Sequence, residues 1–425
     1  MDKLTEKHGK GFCILPWIHM ASYTDGTALL CCLAQPPKHD KRLNFNVATI
    51  DAIWNSNYFK SARVDMLAGK QLPACKHCTR EERSGIRSHR INENNIWGQQ
   101  LGEEYIQDLI DNTADDGHLS QDVITLDLRL GNTCNVKCVM CRPTDSSKWV
   151  KDAKVLSQVD NAEISSEWQW KVDDHASGEF DWAKDDDFWN EEVLPLLPNM
   201  RHFIFAGGEP LYLKNHKRFL KRCADSGYAH QIELRYHTNG TIMPDDIVEM
   251  WSKFKRVEVM LSIDNTGDRN HWLRYPTDWS AVEQTIDKLE NAPDNIVGKI
   301  LGTVHALNIF YVVEFCEWIM AQGYEKFASH HDGLFHPGIL HYPQYMSAKV
   351  LPLTTKKIIT DKLNNFMAQH SDNPTAQEFA QLLDFMNSED QSHKNATLHE
   401  YVRHIDRLNG TDFPSAFGEF YQIWD

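Results

Sequence analysis

Residues Gly131–Pro143 read GNTCNVKCVMCRP, with Cys134, Cys138 and Cys141 spaced C-x3-C-x2-C. The run follows DVITLDLRLG (Asp122–Gly131), whose apolar and polar residues alternate as in a half-buried strand. Cysteine metal sites ordinarily use four ligands. Three thiolates on one loop leave one iron of a four-iron cluster open. An open iron can chelate a small molecule, much as catalytic zinc keeps a free position. The competing reading is a zinc knob with a distant fourth ligand; the spacing, directly behind a strand, favours the cluster.

Downstream, strands alternate with helices. RHFIFAGGEP (Arg201–Pro210), QIELRYHTNG (Gln231–Gly240), RVEVMLSID (Arg256–Asp264) and VGKILGTVHAL (Val297–Leu307) read as strands, with a sixth near KFASHH or GILHYP. LYLKNHKRFLKRCADSGY, DWSAVEQTIDKLENA (Asp278 as N-cap) and VVEFCEWIMAQGY read as the helices between them. This order implies parallel βαβ units and an α/β fold, here a partial (β/α)6 TIM-like barrel. Ligands of such folds sit at the carboxyl ends of strands, where Cys134–Cys141, Gly207–Pro210, Thr238–Gly240 and Ser262–Asp264 fall. From about Leu353, TTKKIITDKLNNFMAQH and TLHEYVRHIDRLNG indicate a helical C-terminal region. Between Trp149 and Leu197 lies an acidic excursion with Trp168, Trp170, Trp182 and Trp189, expected as a lid or a surface subdomain packed by its own tryptophans.

The 425 residues allow two or three domains. The division expected is 1–118, 119–345 (with the insertion 149–197) and 346–425. With 41% hydrophobic and 24% charged residues the composition is that of an ordinary globular chain. A formal charge of −16 carries no basic footprint and argues against nucleic acid as partner. The local basic patch RSGIRSHR (Arg83–Arg90) reads as a solvated helix face or a set of carboxylate partners. No apolar run approaches the roughly 18 residues of a membrane span. The start MDKLTEKHGKGF lacks the apolar stretch of a secretory signal, so a cytoplasmic location is expected. Of ten cysteines, Cys223 and Cys316 stand alone in helical segments and read as core residues. In a reducing compartment the remaining clusters mean metal or redox chemistry.

The first cluster is Cys13, Cys31, Cys32, Cys75 and Cys78. C-x17-C followed by C-x2-C supplies four thiolates, enough to close a site; a zinc ribbon is the alternative. The apolar LPW and the DG turn fit a small β-hairpin carrying the first two ligands. Cys31 and Cys32 are adjacent, and strand alternation would point them oppositely.

From about residue 120 to 345 the chain resembles the radical S-adenosylmethionine (SAM) superfamily. The resemblance implies a [4Fe–4S] cluster on Cys134, Cys138 and Cys141 whose open iron binds SAM. Reductive cleavage of SAM would give a 5′-deoxyadenosyl radical that abstracts hydrogen from substrate. GGEP, Gly207 with Gly208, Glu209 and Pro210, looks like the motif that meets the SAM amino group. SIDN resembles the fourth-strand motif, placing Ser262 and Asp264 at SAM, with Asn265 where the family often has glycine. Arg274 is placed like an arginine that pairs with the SAM carboxylate. Asn239 would reach the ribose, although an Asn-Gly turn explains it nearly as well. Val304 sits where the fifth strand lines the adenine, and Met140 takes the place of a family aromatic that contacts adenine.

The first cysteine group resembles the Twitch/SPASM modules that hold an auxiliary [4Fe–4S] cluster. Such modules usually follow the barrel; here the group precedes it. Within it Cys13, Cys31, Cys75 and Cys78 are the implied ligands; the G-x4-C spacing favours Cys31, with Cys32 the alternate. The auxiliary cluster would accept or relay an electron, or serve structure. The implied partners are a peptide, protein or small-molecule substrate and a reducing donor such as flavodoxin or ferredoxin. Tyr236, His237, His305 and His336 are candidates for acid, base or substrate contacts, and equally for packing. Rival readings are a radical SAM enzyme acting on a nucleotide, sugar or RNA, and a zinc-stabilised binding protein without chemistry.

Overall fold

The structure, a computed structural model, describes residues 2–35, 40–83, 87–174, 180–328 and 335–424. Its strands are β1 (His19–Ser22), β2 (Ala28–Leu29), β3 (Thr125–Arg129), β4 (Lys137–Cys138), β5 (His202–Ala206), β6 (Glu233–Thr238), β7 (Arg256–Ser262), β8 (Arg274–Tyr275), β9 (Ile296–Val304) and β10 (His336–Ile339). The chain forms two compact units: Met1–Asn132, Glu179–Arg235 and Lys253–Lys255 in one, Thr133–Gly178, Tyr236–Ser252 and Arg256–Asp425 in the other. Both are α/β, with mostly parallel strands. The residues of β6 are divided between them.

In the first unit β3 is central. It pairs in parallel with β5 (Thr125 opposite His202) and with β1 (His19 opposite Thr125). Leu126 and Leu128 are fully buried and Asp127 nearly so, as expected of a parallel strand covered on both faces. The N-terminal region thus contributes a strand to the parallel sheet. A hairpin does follow Cys13: β2 returns antiparallel to β1 around Asp25-Gly26, with Gly26 at φ +85°. LPW is not part of it. Leu15–Ile18 is a helical turn, with Pro16 in its first positions, where no N–H is needed. Cys13 therefore precedes the helical turn, and Cys31 lies two residues beyond β2.

In the second unit β9 lies between β7 and β10, all parallel. Its two glycines allow aromatic rings to close on the sheet. A Cβ on Gly298 would come within 2.3 Å of the Phe327 ring, and one on Gly302 within 2.3 Å of the Phe335 ring. The sixth strand, β10, runs just into GILHYP; KFASHH extends outside the described residues. Asp278 caps the helix Trp279–Glu290, accepting from Ser280 N–H at 3.0 Å. The C-terminal region is helical, with Leu353–Gln369, Pro374–Asn387 and Asn395–Asn409 as its main members. Cys223 and Cys316 are buried in helices, as expected. The tryptophans of the acidic excursion do not form one subdomain. Trp182 and Trp189 are buried in the first unit and Trp168 in the second, while Trp170 is half exposed. Among the described residues no helix is long and apolar enough to cross a membrane.

Candidate iron–sulfur centres

In the second unit the three-cysteine run is gathered into one small cluster. Cys134, Val136 and Cys138 are buried together, and Met140 and Cys141 pack against them. The short pair β4–β8 fixes the middle of the loop, setting Cys138 opposite Arg274 and Lys137 opposite Tyr275. Arg274 is buried. Its Nη2 donates to Asp264 Oδ1 at 2.9 Å, its Nε lies 2.7 Å from Asp264 Oδ2 as an ion-pair contact, and its Nη1 reaches Cys138 Sγ at 3.5 Å. Asp264 Oδ1 also accepts from Thr303 N–H at 2.7 Å, tying the end of β7 to β9. Burial works against the charge of Arg274, but Asp264 and Cys138 outweigh it and push its pKa up. The hydrogen bond from Cys141, helped by Arg274, holds the Cys138 thiol below its ordinary value against the effect of burial.

The loop is braced from behind by residues that carry no motif. Trp149 donates its indole N–H to the Cys138 carbonyl at 2.9 Å, and Tyr401 its hydroxyl to the Val139 carbonyl at 2.9 Å. Trp168 packs between them, with ring centroids 4.7 Å from Trp149 and 6.3 Å from Tyr401. Asn239 holds the front: its Nδ2 donates to Asn135 Oδ1 at 2.8 Å and lies 4.0 Å from Cys134 Sγ. Its Oδ1 accepts from Thr241 N–H at 2.9 Å. Asn239 is thus a loop brace as well as the first residue of an Asn-Gly turn.

The other expected residues of this unit divide into several kinds. Ser262 ends β7, opposite Leu301. Val304 is buried at the end of β9. Tyr236 is fully buried against Trp251, a core contact, while His237 points to the opposite side of β6. His336 is half-buried beside Glu378, 3.3 Å away. His305 is fully buried. Its Nδ1 accepts from Leu307 N–H at 3.2 Å, which places the ring proton on Nε2, and burial pushes its pKa down to about 4. His305 is therefore a neutral donor. Among the described residues its Nε2 and the Nδ2 of fully buried Asn265 have no hydrogen-bond partner.

These features fit a cluster with a polar ligand. Buried thiolates need a compensating cation and donor, which Arg274 supplies at Cys138. Two buried donors at the strand ends want acceptors.

In the first unit four cysteines act on one another. Cys13 is raised by burial and then by Cys75, with Cys78 adding; Cys31 by burial, Cys32, Cys13 and Cys75; Cys75, up to about 11, by burial and Cys78. Backbone bonds explain the convergence. Gln35 N–H donates to the Ala74 carbonyl, drawing the chain after Cys31 to the turn that holds Cys75. Buried Asn94 clamps both neighbours of Cys13, accepting from Ile14 N–H at 2.9 Å and donating to the Phe12 carbonyl at 3.1 Å. Cys32 faces elsewhere: its Sγ is 3.9 Å from His89 Nε2, and burial, Asp127 and Glu93 push it up to about 12. Among the described residues no group of three or more His, Cys, Asp or Glu converges at single-ion spacing.

GGEP also lies in the first unit. Gly207 has φ +114°, and a Cβ there would come within 2.7 Å of the Leu130 amide nitrogen. Gly208 N–H donates to the Gly131 carbonyl at 2.8 Å. Glu209 is fully buried and caps the turn Pro210–Tyr212, accepting from Leu211 N–H at 3.1 Å. The two glycines let the loop after β5 close onto the loop after β3.

Comparison with known proteins assigns both regions. Residues 128–318 match the radical SAM superfamily model, and residues 13–79 match an iron–sulfur cluster-binding domain, SPASM. No curated protein sequence matches the chain. Solved structures that resemble it include native anSMEcpe with bound AdoMet and Cp18Cys peptide (16% identity, 63% of this chain and 62% of that one, TM-score 0.34). Another is SuiB of Streptococcus suis (14%, 74% and 62%, 0.32), also solved bound to the precursor peptide SuiA (14%, 74% and 64%, 0.31). The chain spans less than two thirds of the length of these proteins. The match over residues 128–318 supports an enzyme that uses a [4Fe–4S] cluster and SAM, and the SPASM match implies further iron–sulfur binding.

Proposed function

We propose that the chain holds one [4Fe–4S] cluster on Cys134, Cys138 and Cys141, with SAM on the open iron, and a second on Cys13, Cys31, Cys75 and Cys78. Its reaction is hydrogen abstraction from a peptide or protein. The observation that carries this reading is the contrast within one chain: four buried or half-buried thiols linked electrostatically through Cys13 and Cys75 in one place, three thiols beside a buried guanidinium in another.

Bound there, the cluster and SAM supply the one-electron chemistry that removes a hydrogen atom from substrate. The residues of the chain do the rest. Arg274, held by Asp264, sets positive charge and a donor against Cys138. Met140 covers the cysteines with a flexible thioether. His305 and Asn265 offer N–H donors from fully buried positions, where water does not compete. Ser262 and Val304 are assigned to SAM by their places at the ends of β7 and β9; Gly207–Pro210 rest on their motif alone. The four-thiol centre, closed by its ligands, is suited to relay an electron. Flavodoxin or ferredoxin is the class of donor, and the interior of a cell the expected setting.

The test is anaerobic incubation of the reconstituted enzyme with SAM and dithionite. Release of 5′-deoxyadenosine by the wild type, and its loss in Cys138→Ala, supports the reading. Stoichiometric zinc with no SAM cleavage overturns it in favour of a binding protein. Products that map only to a nucleotide or sugar overturn the polypeptide substrate.

A further inference from the structure

The helix Lys76–Arg83, which carries Cys78, is bordered by two cavities of about 810 and 680 Å³ in the first unit. They meet at Gln71, Thr79 and Arg83, which line both. One is walled by Lys10, Arg87 and Arg90, the other by Lys76 and Arg80, with Arg83 between.

The carboxylates nearby are already taken. Glu82 is paired with Arg90, which is buried, and accepts from Ser88. Glu81 lies 3.1 Å from His77. Asp2 is buried and accepts from the Thr5 N–H at 2.8 Å and from Asn94. Lys10, Lys76, Arg83 and Arg87 line the cavities of a chain of net charge −16. Apolar side chains line them too: Leu33, 38% exposed, with Leu72 and Pro73 in one cavity and Ile91 in the other.

A groove lined by both cations and apolar side chains is complementary to an extended polypeptide that carries carboxylates and apolar residues. A nucleic-acid strand would instead be met by aromatic platforms, and none of the lining residues is Phe, Tyr or Trp. We propose that this groove binds an acidic, extended segment of a polypeptide substrate, with Lys10, Arg83 and Arg87 receiving carboxylates on one side of the helix and Lys76 on the other. The helix between the two cavities carries Cys78. An acidic segment anchored there would raise the local concentration of the part of the substrate that reacts. The proposal rests on the polypeptide reading above.

The test uses the holoenzyme and a fluorescein-labelled ten-residue peptide of alternating Glu and Leu, with its Gln/Leu counterpart, followed by anisotropy. The Glu peptide should bind about tenfold or more tighter than the Gln peptide, and less tightly as salt rises. Arg83→Gln with Arg87→Gln should remove most of that preference. Lys214→Gln with Lys217→Gln, on another helix, should leave it. Thermal melting and iron content, measured on each variant, separate lost binding from lost folding; if the double variant melts early, Lys10→Gln with Lys76→Gln takes its place. Equal affinity for the two peptides, or an unchanged preference in both groove variants, overturns the proposal. So does a groove occupied by a short oligonucleotide or by flavodoxin in preference to the Glu peptide. The two readings fail separately. If a polypeptide substrate is modified with a KM unchanged by Arg83→Gln and Arg87→Gln, the groove fails alone. If the Glu peptide binds while products map only to small molecules, the enzyme's substrate class fails alone.

Discussion

Arg274 and Asp264 form a buried ion pair at 2.7 Å, and the guanidinium's remaining Nη1 faces the Cys138 sulfur at 3.5 Å. The sequence reading set Arg274 toward the SAM carboxylate. In the structure its donors face Asp264 and Cys138 of the three-cysteine loop. Removing one partner of such a pair leaves the other charged and buried, at a cost of about 3–5 kcal/mol. Asp264→Ala should lower stability by that order in chemical denaturation. Asp264→Leu combined with Arg274→Met should recover part of the loss. A loss in the double variant equal to the sum of the two single losses would show that the pair is not coupled.

Cys31 and Cys32 provide a sharper comparison, because they are neighbours with opposite surroundings. Cys31→Ala should remove roughly four irons per chain, the content of one cluster. Cys32→Ala should leave iron unchanged, since its sulfur sits by His89. The reverse pattern in iron analysis would exchange their roles.

Asn94 clamps the residues on either side of Cys13. Asn94→Leu leaves the Ile14 N–H and the Phe12 carbonyl buried without that partner, at about 1–3 kcal/mol each. The variant should melt earlier and lose iron from the four-cysteine centre first, while SAM cleavage persists. Loss of SAM cleavage with full iron content would contradict this.

These particulars show what the sequence could disclose. Strands β3, β5, β7 and β9 were legible because period-two alternation ends in glycine or polar turns. That Cys134, Cys138 and Cys141 gather in one place was legible by spacing alone. β1 was not, since the four residues HMAS are too short for any period to register. LPW formed a helical turn because Pro16 suits a helix start. Trp149, Tyr401 and Asn94 act through single hydrogen bonds to the backbone, reached from 11, 262 and about 80 residues away, which no local pattern records. His89, 57 residues away in sequence, lies beside Cys32, another neighbour that no local pattern records.

His216 is fully buried 4.4 Å from the Phe205 ring, and burial pushes its pKa down to about 3. Between that value and the ordinary one near 6.5 the unfolded chain binds a proton that the folded chain refuses. Stability therefore rises with pH through this window and levels off above about pH 7. The slope from this residue should approach about 1.4 kcal/mol per pH unit. His216→Leu should flatten the profile between pH 5 and 7 by about that amount in urea titrations. An unaltered slope would place the refused proton elsewhere.

The central claim is that one chain holds an open cluster and a closed one. Iron and sulfide, measured after anaerobic reconstitution together with SAM cleavage under dithionite, test it most directly. The account expects about eight irons in the wild type, by the arithmetic of two four-iron clusters. Cys75→Ala with Cys78→Ala should retain about four, and SAM binding with them. Cys134→Ala with Cys138→Ala and Cys141→Ala should also retain about four, with no cleavage. Wild-type iron in the Cys75→Ala and Cys78→Ala variant, or one zinc per chain and no cleavage in the wild type, would contradict it.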